Sequence, residues 1–250
     1  MLHPDFLTRP LAHRGLHGPG VPENSLAAAR AAIAAGYGIE CDIQPDATGR
    51  PLVFHDYDLR RLTGATGVIG AQSPEAIAAL RLRAAGEPIP TLDELLAEVA
   101  GRVPLLIEIK DQDGGLGPAM GDLPARVASA LRDYRGPVAV MSFNPEAVVQ
   151  FRAAGGTAPV GLTSCAFPAE DWPGVPPERR AHLAALQDID RTGAAFVSHD
   201  HRDLANPAVA RARASGLAVL CWTVRSAVEE AFAREIAQNI TFEGYTPCEP

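Results

Sequence analysis

Residues 38–55 read GIECDIQPDATGRPLVFH. Two runs rich in apolar and β-branched residues, 38–43 and 52–55, flank residues 44–51. That connection is too short for the helical crossover that a parallel neighbour requires. The stretch therefore predicts an antiparallel hairpin. If Ile43 lies opposite Leu52, then Glu40 lies opposite His55, and strand alternation puts Glu40, Asp42, Val53 and His55 on one face. A slip of one residue would undo that face.

Outward from the hairpin, short β-type runs alternate with Ala-rich helical stretches. Further strands are expected at 11–14, 104–110, 138–143, 159–163, 195–199, 217–223 and 240–242. Helices are expected at 25–35, 74–80, 92–100, 124–134, 145–153, 179–190, 207–215 and 227–237. Asn24 or Ser25, and Ser73, Thr91, Asn144 and Asn206, stand where helix N-caps are needed, several of them just before proline. Gly36, Gly155 and Gly216 stand where helices should end. Nine strands are one more than a (β/α)₈ barrel uses, and the hairpin accounts for the ninth.

The 250 residues are 47% hydrophobic and 21% charged, which excludes a disordered chain. A formal charge of −8 without a basic block argues against nucleic-acid partners and against stable membrane association. No apolar run is long enough to span a bilayer, and Met1 to Pro10 do not read as a signal peptide. Cys41, Cys165, Cys221 and Cys248 form no close pairs, so free thiols and a cytoplasmic location are expected. Of the 22 lysines and arginines, all but Lys110 are arginine. A lysine kept against such a bias suits a place needing a compact ammonium.

Polar residues gather at the ends of the expected strands, where a barrel carries its active site. Glu40, Asp42 and Glu108 lie in strands that otherwise read as buried. Three carboxylates without clustered Cys or His make a hard-oxygen site suited to Mg²⁺ or Ca²⁺. The alternative is a set of charges paired with Arg14 and Lys110, but two cations leave one of three carboxylates uncompensated. His13 and His55 can act as general base and general acid, in either assignment. Arg14 and Lys110 add positive charge suited to phosphate. Phe143, His199 and Trp222 are candidate substrate contacts; Phe143 and Trp222 read equally well as core aromatics. His3, His17, His182 and His201 read as surface residues.

Read together, these residues resemble the glycerophosphodiester phosphodiesterase family. The resemblance rests on His13-Arg14-Gly15, Pro22-Glu23-Asn24-Ser25, Glu40-Cys41-Asp42, His55-Asp56 with Leu62-Thr63-Gly64, Ile89-Pro90-Thr91-Leu92, Glu108-Ile109-Lys110, Ser142-Phe143 and Trp222-Thr223-Val224, in the family's order. It implies a distorted TIM barrel over residues 1–250, with residues 56–90 as a small insertion after the second histidine. It implies a divalent cation on Glu40, Asp42 and Glu108, an acid–base pair His13 and His55, and phosphate contacts from Arg14 and Lys110. The activity implied is hydrolysis of a glycerophosphodiester to glycerol 3-phosphate and an alcohol. Two departures stand out: Arg225 where the family often has Asn, and Thr241-Phe242-Glu243-Gly244-Tyr245-Thr246-Pro247 where its closing strand often reads T-D-x-P.

Rival readings keep the site and change the task. A lysophospholipase D or sphingomyelinase D type of enzyme would act on a lipid diester and should offer an apolar groove. An aldolase would use Lys110 as a Schiff base, leaving both histidines without a task. A metabolite-binding barrel would use the site without catalysis.

Overall fold

The computed structural model describes residues 1–248. Nine strands share one sheet: β1 (Leu11–Ala12), β2 (Gly38–Pro45), β3 (Pro51–Val53), β4 (Leu105–Ile109), β5 (Val138–Ser142), β6 (Val160–Ser164), β7 (Phe196–Asp200), β8 (Ala218–Val224) and β9 (Asn239–Phe242). Their order is β1-β9-β8-β7-β6-β5-β4-β2-β3, and β1 also pairs with β2. Eight parallel strands thus close into a (β/α)₈ barrel, and β3 is an antiparallel addition on β2. The expected hairpin is present.

Its register differs by one residue from the expected one. Ile43 lies opposite Val53, and Gln44 opposite Leu52. Residues 52–54 are all buried, so hydrophobic patterning does not discriminate between the two alignments. Leu52 and Phe54 face a satellite core formed with Leu59, Leu62, Ile69, Ile77, Leu82 and Ile89, whereas Val53 joins the main core. The Phe54 N–H still donates to the Asp42 carbonyl, and His55 beyond it lines the barrel mouth without lying opposite Glu40.

The helices stand near their expected places. Ser25, Ser73, Thr91 and Asn144 each accept a backbone N–H of the following first turn, as do Asn206 and Ser226. The expected helix 179–190 is instead two pieces, Pro177–Ala184 and Ile189–Thr192, because Leu186 between them adopts a left-handed backbone with φ 53°. A further short helix, Arg60–Thr63, begins the insertion and stops at Gly64 in the left-handed region. Among the described residues, no helix is long and apolar enough to cross a membrane. The four cysteines are free.

Strand alternation divides the core. Ile39, Cys41, Ile43, Ile107, Ile109, Val140, Val197 and Val219 pack toward the helices. Phe6, Leu11, Leu106, Ala139, Met141, Phe196 and Leu220 form a separate apolar floor inside the barrel. Phe6 comes from the helix Asp5–Thr8, and Asn239 on β9 ties that segment down by donating to the carbonyls of Phe6 and Arg9. Gly161 on β6 makes room for the floor: a Cβ there would lie 2.4 Å from the Phe196 ring. Gly161→Ala is therefore expected to destabilise the protein by about 1–3 kcal/mol through overpacking. Adding Phe196→Leu should recover part of that loss, so urea midpoints of the two singles and the double should be non-additive.

Candidate active site

Above the apolar floor, the inward positions become polar. Glu40 and Asp42 point inward from β2, and Glu108 points inward from β4, whose register sets Asp42 beside it. Residues 13–14 follow β1, and Lys110 follows β4. These side chains share a cavity of about 370 Å³ with His55, Thr163, Trp222 and Thr241.

The turn after β1 is shaped to present its residues. Arg14 and Gly15 are both left-handed (φ 55° and 76°), and a Cβ on Gly15 would collide with Ala28. The turn brings the Arg14 N–H to Glu40 Oε2 at 3.0 Å. Asn24, also left-handed, donates from Nδ2 to Asp42 Oδ2 at 2.8 Å and accepts the Asp42 backbone N–H. Glu23 pairs with Arg14 at 2.6 Å and with Arg61 of the insertion at 2.7 Å.

One oxygen each from Glu40, Asp42 and Glu108 lies within 4.8 Å of the others. All three residues are buried. Lys110 Nζ bridges Asp42 at 2.7 Å and Glu108 at 2.6 Å, and Arg14 Nε lies 3.3 Å from Asp42. Burial alone would push the Asp42 carboxyl up, but Lys110, His55 and Arg14 hold it well below the usual range. Glu40 goes the other way: burial first, then Asp42 and Glu108, push it well above. Fully ionised, the three carboxylates would outnumber the two cations beside them, and their donors are all hard oxygens. Both properties fit a divalent cation such as Mg²⁺ or Ca²⁺.

Each histidine has a carboxylate behind it. His55 Nδ1 lies 2.8 Å from Asp56 Oδ1. His13 Nδ1 lies 2.6 Å from Glu243 Oε2, across the seam between the first and last strands. Burial pushes His13 down, opposed in part by that hydrogen bond to Glu243. The hydrogen bond from His13, with His17 at 3.8 Å and further charge contacts, holds Glu243 well below the usual carboxylate range.

The candidate residues His13, Arg14, Glu40, Asp42, His55, Glu108, Lys110, Phe143 and Trp222 all line this one cavity. Phe143 and Trp222 pack edge to face at 5.5 Å, and the indole N–H donates to the Ser198 carbonyl. His199 does not join them. It points away from the barrel interior, is fully buried, and has Ser164 Oγ at 2.7 Å from Nδ1 and Asp203 at 3.0 Å from Nε2. Its neighbours Asp200, His201 and Arg202 line the cavity instead. The alternation on β7 carries the signal for this, since Ser198 and Asp200 share a face that His199 does not. Sequence reasoning also missed His201, Thr163 and Thr241 as cavity residues, and Glu23, Asn24 and Glu243 as partners of the site.

Lys110→Met leaves Asp42 and Glu108 buried without their ammonium. It is expected to cost about 3–5 kcal/mol at neutral pH. The deficit against wild type should shrink as pH falls through the carboxylate range, because protonated partners need no cation. Urea unfolding of both proteins across pH checks this.

The chain is similar to several known phosphodiesterases. A bovine (Bos taurus) protein named glycerophosphodiester phosphodiesterase 1 is 37% identical over 107 residues, covering 39% of this chain. That match spans only 32% of the bovine protein's length. YhdW of Bacillus subtilis, named for the same activity, is 26% identical over 225 residues and 86% of both chains. Among solved structures, an Oleispira antarctica phosphodiesterase in complex with its product sn-glycerol-3-phosphate superposes with a TM-score of 0.78 at 23% identity, covering 95% of this chain and 93% of that one. A glycerophosphodiester phosphodiesterase from Parabacteroides distasonis gives 0.74 at 22% identity, with 94% and 92% coverage. The model of the glycerophosphoryl diester phosphodiesterase family matches residues 13–239, and the chain belongs to that family.

Proposed function

We propose that this protein hydrolyses a glycerophosphodiester to glycerol 3-phosphate and an alcohol, in a reaction that requires a divalent cation. The observation that carries the reading is the convergence of two carboxylate-backed histidines and a surplus of buried carboxylate on one cavity. Glu40, Asp42 and Glu108 are the residues that would hold the cation. When bound, it would supply Lewis-acid polarisation of a phosphate oxygen.

The chain's own groups divide the remaining work. Arg14 and Lys110 place positive charge beside the phosphate and stabilise the negative charge that builds up on its oxygens. His13 takes the proton from the attacking hydroxyl, either water or the glycerol 2-hydroxyl. His55 returns a proton to the departing alkoxide, which is too basic to leave unaided. Thr163 Oγ1 and Thr241 Oγ1 are buried cavity hydroxyls that hydrogen-bond to no other described residue, which suits them to the hydroxyls of a glycerol arm. One domain over residues 1–250 would carry all of this, although its last two residues lie outside the described structure. Free cysteines support a cytoplasmic setting.

A second reading, action on a lipid diester, draws on a specific feature. A neighbouring cavity of about 860 Å³ shares His55, Glu108, Lys110 and Phe143 with the first, and Tyr57, Leu116 and Trp172 give it an apolar wall. Such a wall could take the acyl chain of a lysophospholipid.

Release of glycerol 3-phosphate from glycerophosphocholine and glycerophosphoethanolamine should stop with EDTA and return with Mg²⁺ or Ca²⁺. Release that ignores the chelator would defeat the metal reading. Turnover confined to lysophosphatidylcholine would transfer the proposal to lipids. His13→Ala and His55→Ala should each lower kcat by about 10²–10⁴-fold. Thr163→Val and Thr241→Val should raise KM for glycerophosphocholine while leaving bis(p-nitrophenyl) phosphate, which has no glycerol hydroxyls, unaffected.

A further inference from the structure

The two departures from the family pattern meet at one point. Arg225 Nε lies 3.1 Å from Glu243 Oε1, while the other carboxylate oxygen of Glu243 lies 2.6 Å from His13 Nδ1. The Arg225 backbone N–H donates to Glu229 at 2.6 Å, which ties the arginine to the start of the helix Ala227–Ala233. A continuous chain therefore runs His13, Glu243, Arg225.

The same sequence of groups stands behind the other histidine. His55 Nδ1 meets Asp56, and Arg61 binds both oxygens of that carboxylate at 2.7–2.8 Å. At His55 the carboxylate is the next residue in the sequence. At His13 it comes from a position 230 residues away, on an unrelated segment. Two independent segments of chain thus give both rings an ionised carboxylate at Nδ1 and an arginine behind it.

We propose that Glu243 is the positioning residue of His13 and that Arg225 fixes Glu243 in turn. The carboxylate accepts a hydrogen bond from Nδ1–H, so the ring holds a single tautomer with Nε2 bare and available in the cavity. It also stabilises the imidazolium that forms once Nε2 has taken a proton. Arg225 occupies the second oxygen of Glu243 and keeps the carboxylate from swinging into solvent or across to His17, 3.8 Å away. The other charged groups acting on His13 are Arg14, which disfavours imidazolium, and Asp42, which favours it. Arg225 and Glu243 are accordingly one paired change. Neither is expected to work well with the family's usual residue restored at the other position.

This inference rests on the acid–base reading of His13, and the test separates the two. In ¹⁵N-labelled wild-type protein, with His13→Ala supplying the assignment, long-range ¹H–¹⁵N correlation of neutral His13 should find Nδ1 protonated and Nε2 bare. The opposite tautomer overturns the proposal. Glu243→Gln should lower kcat about 10- to 1,000-fold with KM changed less than about threefold, and should shift the acidic limb of the pH–rate profile. Glu243→Asp should restore part of the rate. Arg225→Asn should slow the enzyme alone and add nothing to Glu243→Gln. Full kcat and an unmoved profile in Glu243→Gln, where His13→Ala is inactive, overturn the proposal and leave the reading of His13 standing. An active His13→Ala removes both. If Glu243→Gln fails to fold by circular dichroism, the wild-type tautomer decides alone.

Discussion

Three carboxylates directed into the mouth of a closed barrel set the terms for everything around them. Charges withdrawn from water this far are tolerated only with partners. Lys110 bridges two of the carboxylates, Arg14 contacts one, and Asn24 and the Arg14 backbone N–H supply hydrogen bonds. To deliver these groups, the turn after β1 takes up left-handed backbone at two consecutive residues and again at Asn24. The strain there is local and has an evident return: it supplies donors where the strands alone would leave acceptors bare. Three carboxylates against these two cations leave a cluster that is compatible with a divalent cation.

The cluster also connects the barrel to its insertion. Glu23 joins Arg14 beside the carboxylates to Arg61 in the insertion, and Arg61 reaches Asp56 behind His55. Tyr57 adds a hydrogen bond to the Asp111 carbonyl in the loop after β4. The insertion's small core takes in Leu52 and Phe54 of the hairpin, so shared apolar packing and these polar links together seat it on the barrel. His55 sits at that junction, held from behind by a residue of the insertion and open to the barrel in front.

Much of this was legible in the sequence, and the exceptions have physical causes. The nine strands and the hairpin are where the residue patterns put them, and nine of the ten candidate residues line one cavity, because inward polar positions in buried strands are rare enough to stand out. The hairpin register was not legible: Leu52, Val53 and Phe54 are apolar at every position and carry no alternation to read. His199 has the chemistry of a site residue but the wrong parity on β7, which turns it away from the cavity that Asp200 lines. Glu243 had no local signal at all. Its significance comes from closure of the ring, which brings residues 13 and 243 together, and the only hint was that the final segment departed from the family pattern in company with Arg225.

The closure of that ring has a consequence for how the molecule comes into being. β1 is two residues long, and its neighbours are β2 and the last strand, β9. A growing chain can pair β2 with β4 and continue around the circle as each strand emerges from the ribosome, but β1 cannot acquire its second neighbour until β9 has been made. The wall between His13 and Glu243 is therefore among the last parts to form. A nascent or prematurely terminated polypeptide lacking β9 would hold the buried acids and their lysine in a half-open sheet, with His13 still without its partner. The cavity is complete only once β9 has closed the ring between residues 13 and 243.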